Sequence, residues 1–156
     1  MLGRSHEPRQ CQIQLIPATV NEAPYILDGL LMNETSCRIR EQYADTGGFT
    51  DLVFAATAHL GYRLIPCIRD LPSKRLHVFK PKAVPTGLRG LIDDRIRENT
   101  VSDNWSDILS SVATMAAGMM QPSQFMRKFV SYLRQHDLAV ALREFGRVDR
   151  TLFIID

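Results

Sequence analysis

At 156 residues, with 45% hydrophobic and 23% charged residues, the chain is long enough to bury a sizeable core and has the balance of an ordinary globular protein. A net charge of +2 does not by itself advertise a nucleic-acid binder, and no run approaches the ~20 apolar residues that span a bilayer. Cys11, Cys37 and Cys67 are widely spaced, with no C-x-x-C pair, which argues against a disulfide framework or structural zinc and predicts a reducing, cytoplasmic setting.

Residues 1–10 carry scattered charges with no apolar run behind them, so they do not read as a signal peptide, and residues 1–12 form an unassigned extension. A helix is predicted over 21–32. Over 38–45, Ile39, Glu41, Tyr43 and Asp45 alternate with Arg38, Arg40, Gln42 and Ala44, the period of a strand. Gly47 and Gly48 break that strand. Thr50 or Asp51 can cap a second helix, in which Leu52, Ala55, Ala56, His59 and Leu60 recur at helical spacing until Gly61 stops it. A second strand is predicted over 62–68 and a further one over 75–79. A strand, a helix and a strand joined by short connections imply a parallel pair.

Pro81, Pro85, Gly87 and Gly90 mark a break, after which the pattern turns helical. Asp103 is placed to cap a helix with Trp105, Ile108, Leu109, Val112, Ala113 and Ala116 on its apolar face. Pro122 and Ser123 open another, striped by Phe125, Phe129, Val130 and Leu133. From Asp137 onward, Leu138, Ala141, Leu142, Phe145, Val148, Leu152 and Ile155 keep helical spacing across Gly146. The row Arg143, Arg147 and Arg150 reads as a solvated face partly paired with Glu144 and Asp149. Met115, Met119, Met120 and Met126 read as flexible core filler, and Cys67, in an apolar run, as a buried thiol. No internal repeat, P-loop or G-x-G-x-x-G is present.

Asp45 ends a strand just before a glycine turn and a helix. Loops leaving the carboxyl ends of strands line the functional crevice of open α/β sheets, which gives Asp45 a reason to be a site residue. An Asp before Gly-Gly is equally a turn former that bonds its own backbone. Between residues 63 and 82 there are six basic side chains, Arg63, Arg69, Lys74, Arg75, Lys80 and Lys82, against the single acid Asp70. That patch suits contacts to DNA phosphates, and it also fits a solvated basic loop.

Four collinear stretches add to this reading: residues 18–31 (ATVNEAPYILDGLL), 43–51 (YADTGGFTD), 59–71 (HLGYRLIPCIRDL) and 139–153 (AVALREFGRVDRTLF). Together they resemble the catalytic region of the large transposases of the Tn-three family of replicative, class II transposons. The resemblance covers roughly residues 13–156. It implies a ribonuclease H-like fold in which two aspartates and a glutamate hold divalent cations, with Asp45 at the position of the second aspartate. Magnesium is the expected ion of the full-length enzyme, because hard cations take oxygen ligands and a pair of them supports in-line phosphoryl transfer. Asp51 and Asp28 also match family positions and read as a helix cap and a solvated helix residue.

The expected fold class is therefore α/β: a partial ribonuclease H-like core over residues 13–82, built as strand-helix-strand around Asp45, then a mainly helical segment over 83–156. Family enzymes are several times longer, so the resemblance predicts a truncated transposase whose other two carboxylates fall outside the chain. Such a product is expected to be inactive alone and to hold magnesium weakly. Its expected partners are transposon-end and target DNA, and a full-length transposase is a further candidate, with no membrane involved. A non-catalytic DNA- or transposase-binding inhibitor is the alternative, and a small hydrolase using Asp45, Asp51 and His59 a remote one.

Overall fold

The computed structural model describes residues 22–32, 38–132 and 136–156. In chain order these form α1 (Ala23–Leu31), β1 (Glu41–Ala44), α2 (Asp51–His59), β2 (Arg63–Pro66), β3 (Leu76–Val78), β4 (Ile92–Arg95), α3 (Glu98–Asp103), α4 (Trp105–Ala116), α5 (Pro122–Tyr132) and α6 (Asp137–Ile155). Short 3₁₀ turns at Leu71–Ser73, Pro81–Ala83 and Thr86–Leu91 link the strands. Predictions that fall on residues 1–12, on Cys11 and Cys37, and on Leu133 lie outside the described residues.

The core is organised around α2. Thr50 caps it, its hydroxyl accepting from the Val53 N–H at 3.3 Å, and Leu52, Val53, Phe54, Ala55, Ala56 and Thr57 are all buried. A helix buried on every side needs neighbours on every side. They are α6 above all, then α1, β2 and α4. Thr57 satisfies its own hydroxyl by donating to the Val53 carbonyl at 2.8 Å, so its burial leaves no polar group unpaired. Leu27, Phe54, Ile108, Met115, Met126 and Leu142 complete the core, each fully buried side chain stabilising by roughly 1.5–3 kcal/mol relative to exposure. Met115 and Met126 are thus core filler as expected, whereas Met119 is exposed.

β1 and β2 pair in parallel, with Glu41 opposite Arg63 and Ala44 opposite Pro66, as the short strand-helix-strand spacing predicts. A second parallel pair joins β3 to β4, aligning Leu76 with Ile92. β4 was not expected. Ile92-Asp93-Asp94-Arg95 has a single apolar residue and no alternation, so only its long-range pairing with β3 makes it a strand.

Several other expectations need correcting. Asp28 is fully buried rather than solvated: its carboxylate accepts the Ser123 N–H at 2.8 Å and the Gln121 side-chain amide at 3.1 Å, docking the first turn of α5 onto α1. Asp51 is not the cap of α2 but its first residue, held by Arg150 at 2.7 Å. Asn104, not Asp103, precedes α4, and the side of that helix bearing Leu109, Ala113 and Ala116 is exposed while Ile108, Val112 and Met115 are buried. The Arg143, Arg147 and Arg150 row is not a solvated face, since all three side chains are largely buried on α6. Cys67 is exposed rather than buried.

Asp28→Ala should therefore cost about 2 kcal/mol, because it leaves the Ser123 N–H without its acceptor in a buried position. Asp28→Asn, whose amide oxygen still accepts, should recover most of that. Urea midpoints measure both, and an alanine variant within a few tenths of a kcal/mol of the parent would show that α5 is capped by other means.

Candidate active site

Asp45 leaves β1 at its carboxyl end and is solvent-exposed. The turn behind it is tight. Its own carboxylate accepts the Thr46 N–H at 2.6 Å, and its carbonyl accepts the Gly48 N–H at 2.8 Å. Gly48 is closely packed: an added Cβ would sit 3.1 Å from the Ala44 Cβ and 3.2 Å from the Asp45 carbonyl oxygen, so its neighbours would have to give by a few tenths of an ångström. The hydrogen bond from the Thr46 N–H holds the Asp45 carboxyl below its ordinary pKa, and the Arg69 guanidinium adds a smaller push the same way. The group is therefore a carboxylate throughout the physiological range and stays one further into acid than an ordinary aspartate.

Parallel pairing brings the carboxyl end of β2 beside it. The Cys67 N–H donates to the Ala44 carbonyl at 2.8 Å, and Tyr43, Ala44, Asp45, Ile65, Pro66 and Cys67 line one open depression. Tyr43 is 68% exposed on the same strand face as Asp45, and its hydroxyl donates to Glu41 at 3.1 Å. That contact with a carboxylate raises the phenol's pKa. A larger cleft of about 650 Å³ lies around the amino end of β2, lined by Arg63, Asp149 and Asp156 among others, and is separate from the Asp45 depression.

The six basic candidates are all exposed but not equivalent. Arg63 begins β2, at the end away from Asp45, and pairs with Asp156 at 2.5 Å. Arg69 follows the end of β2 that carries Cys67. Lys74 and Arg75 follow the first 3₁₀ turn, where Arg75 donates to the Pro72 carbonyl at 3.2 Å. Lys80 and Lys82 flank and enter the second.

The remaining polar groups form a buried network that the sequence reading missed. Arg147 donates to Glu144 at 2.9 Å and approaches Asp51 and Asp94 at 3.8 Å, and Arg150 reaches both Asp51 and the His77 Nε2 at 2.7 Å. Arg150 can only donate, so Nε2 must be the unprotonated nitrogen. Burial, followed by the nearby Arg147 and Arg150 charges, lowers the His77 pKa despite Asp51 and Asp93. A depressed histidine stabilises the fold above its unfolded pKa, and that contribution is lost as pH falls and the unfolded chain takes the proton first. His59, by contrast, lies against Trp105 and Phe145, with ring centroids 5.4 and 4.2 Å away. It is an aromatic packing residue in this arrangement. The described residues bring no three histidine, cysteine, aspartate or glutamate side chains together as a metal-binding group.

Residues 5–156, which include Asp45, its glycine turn and α2, match the family described as the Tn3 transposase DDE domain. The chain belongs to that family. It is similar to the transposase for transposon Tn501 from Pseudomonas aeruginosa, with 46% identity over 145 residues. It is 42% identical over 143 residues to the transposase for transposon Tn21 from Escherichia coli, and 36% identical over 143 residues to that for transposon Tn1546 from Enterococcus faecium. Each of these matches covers 92% of the chain but 14% of the relative, so the chain of this DDE-domain family spans about one-seventh of the length of the curated relatives. No solved structure matches it. No described helix is long and apolar enough to cross a membrane.

Proposed function

We propose that the chain is part of the catalytic domain of a replicative transposase, with β1, α2 and β2 as part of a ribonuclease H-like core and Asp45 as one of its metal-binding carboxylates. The observation that supports this best is the position of Asp45: exposed, ionised, and at the carboxyl end of one of two parallel strands, in a chain that matches a DDE domain family. In the whole enzyme a pair of divalent cations, magnesium by the resemblance, would polarise the phosphate under attack.

Asp45 alone does not make such a site. Hard cations of this kind want several oxygen ligands, and the described residues supply no cluster of three candidate ligands. The other carboxylates are assigned to parts of the enzyme beyond residues 13–156, and the 156-residue chain is accordingly read as inactive by itself. DNA would be met through its phosphates by exposed side chains after β2, namely Arg69, Lys74, Arg75, Lys80 and Lys82. Arg63 is the weakest candidate of the six, being already paired with Asp156.

Binding of the isolated chain to duplex DNA should be weak, indifferent to sequence and steeply salt-dependent, each neutralised phosphate contributing roughly −0.9 to the log–log salt slope. Transposon-end and random duplexes titrated at two salt concentrations, with and without magnesium or manganese, check this. Failure to bind at low salt would refute the DNA-facing reading. Metal-dependent cleavage abolished by Asp45→Ala would instead show that the chain holds a complete site.

A further inference from the structure

Of the six basic candidates, Arg69 differs in its surroundings. Asp45 and Cys67 stand at the adjoining carboxyl ends of two parallel strands, and Arg69 is two residues beyond Cys67 in the chain. It is exposed, and among the described residues it makes no ion pair, although its charge acts on the Asp45 carboxylate. Arg63 and Arg75, by comparison, are engaged with Asp156 and the Pro72 carbonyl.

The backbone after Arg69 is unusual as well. Asp70 has φ 52° and ψ 45°, and it is the one residue other than glycine with a positive φ among those described. A left-handed conformation costs a residue with a Cβ roughly 1–2 kcal/mol, less for aspartate because its short side chain can bond locally. The turn is held by Ser73, whose N–H and hydroxyl both donate to the Asp70 carbonyl at 2.8 Å. Strain of this kind persists where surrounding structure over-determines it, and such positions cluster at binding and catalytic sites. Here the bend comes four residues past the end of β2, so Arg69 is the last residue before it, close enough for its charge to act on the Asp45 carboxylate.

We propose that Arg69 is a phosphate-positioning residue, a guanidinium placed just past the strand end that fastens one backbone phosphate of a DNA strand beside Asp45. This rests on the reading of the Asp45 edge as the DNA-facing edge. A guanidinium suits the role better than an ammonium, since its planar fork holds two phosphate oxygens in one orientation. Lys80 and Lys82, further along the chain, contribute charge without fixing register.

Cys67 provides the reporter, because it is exposed, lines the Asp45 depression and stands two residues before Arg69 in the chain. In a Cys11→Ser, Cys37→Ser background, a short duplex carrying a disulfide-activated tether on one central phosphate is mixed with protein at low salt, above the concentration that saturates binding. Cross-linking to Cys67 is then read on non-reducing gels. The expected result is efficient cross-linking that Arg69→Ala reduces by roughly tenfold, the worth of one hydrogen-bonded contact to a charged group. Arg69→Lys should restore part of it, and Lys82→Ala should weaken overall affinity while leaving the saturated cross-linking yield unchanged.

Cross-linking that survives Arg69→Ala at full yield would overturn the role of Arg69 while keeping DNA at the Asp45 edge. Binding without any cross-link to Cys67 in the parent would overturn both readings, placing DNA elsewhere on the surface. Equal losses of yield in Arg69→Ala and Lys82→Ala would reduce Arg69 to one charge in a diffuse patch and would also refute the proposal.

Discussion

Gly146→Ala is expected to destabilise the fold by about 3 kcal/mol, against the usual sign of that substitution. In the middle of a helix, replacing glycine by alanine ordinarily stabilises by up to ~1 kcal/mol, because glycine loses the most backbone freedom on folding. Gly146 lies within α6, where that helix crosses the first residue of α2, and an added Cβ would sit 1.6 Å from the Asp51 carbonyl oxygen and 2.5 Å from its carbonyl carbon. Neither atom belongs to a flexible side chain. The two helices must separate or shift, and overpacking of this kind costs roughly 1–3 kcal/mol or more. Because α2 and α6 form the most extensive contact in the fold, the shift spreads through the core. Gly29, in α1, has open space where its Cβ would go, so Gly29→Ala should be neutral or mildly stabilising. Denaturant midpoints for the two variants test the contrast, and similar effects at both positions would mean that α6 does not approach α2 so closely.

Glu144→Ala should cost about 3–5 kcal/mol, the cost of breaking a buried ion pair by removing one partner. Glu144 is fully buried on α6, where its carboxylate accepts from Arg147 at 2.9 Å and from the Arg97 N–H at 3.1 Å, with Arg143 at 3.6 Å. Deleting it takes the nearest carboxylate from the largely buried Arg147 and Arg143 and leaves an N–H unpaired at the start of α3. Glu144→Gln keeps an acceptor and should cost less. A double-mutant cycle with Arg147→Ala should give a coupling above about 1 kcal/mol, as residues in one charged network do. A cost no larger than that of a surface substitution, within about 0.5 kcal/mol, would show that the network is wetter than its burial implies.

The sequence by itself determined the parts of this protein that depend on neighbours a few residues apart. Alternation over residues 38–45, the threonine and glycine signals bounding α2, and the short return to residues 63–66 were enough to set a parallel strand pair with Asp45 at its carboxyl end. Resemblance in four short stretches then named the family, because those stretches carry chemistry that periodicity alone does not. Tertiary structure decided the rest, and distance along the chain is the reason. Asp28 looks like a solvated helix residue until α5, more than ninety positions later, places the Ser123 N–H against its carboxylate. Arg147 and Arg150 look like an outer face until α6 lies on α2 and on β3, where Asp51, Glu144 and His77 enclose them. Ile92-Asp93-Asp94-Arg95 becomes a strand only because β3 offers it a partner, and Cys67 is exposed because β2 ends at an open edge. Outside β4 the local pattern fixed the backbone form, while which side chains lost contact with water depended on which distant element packed over them.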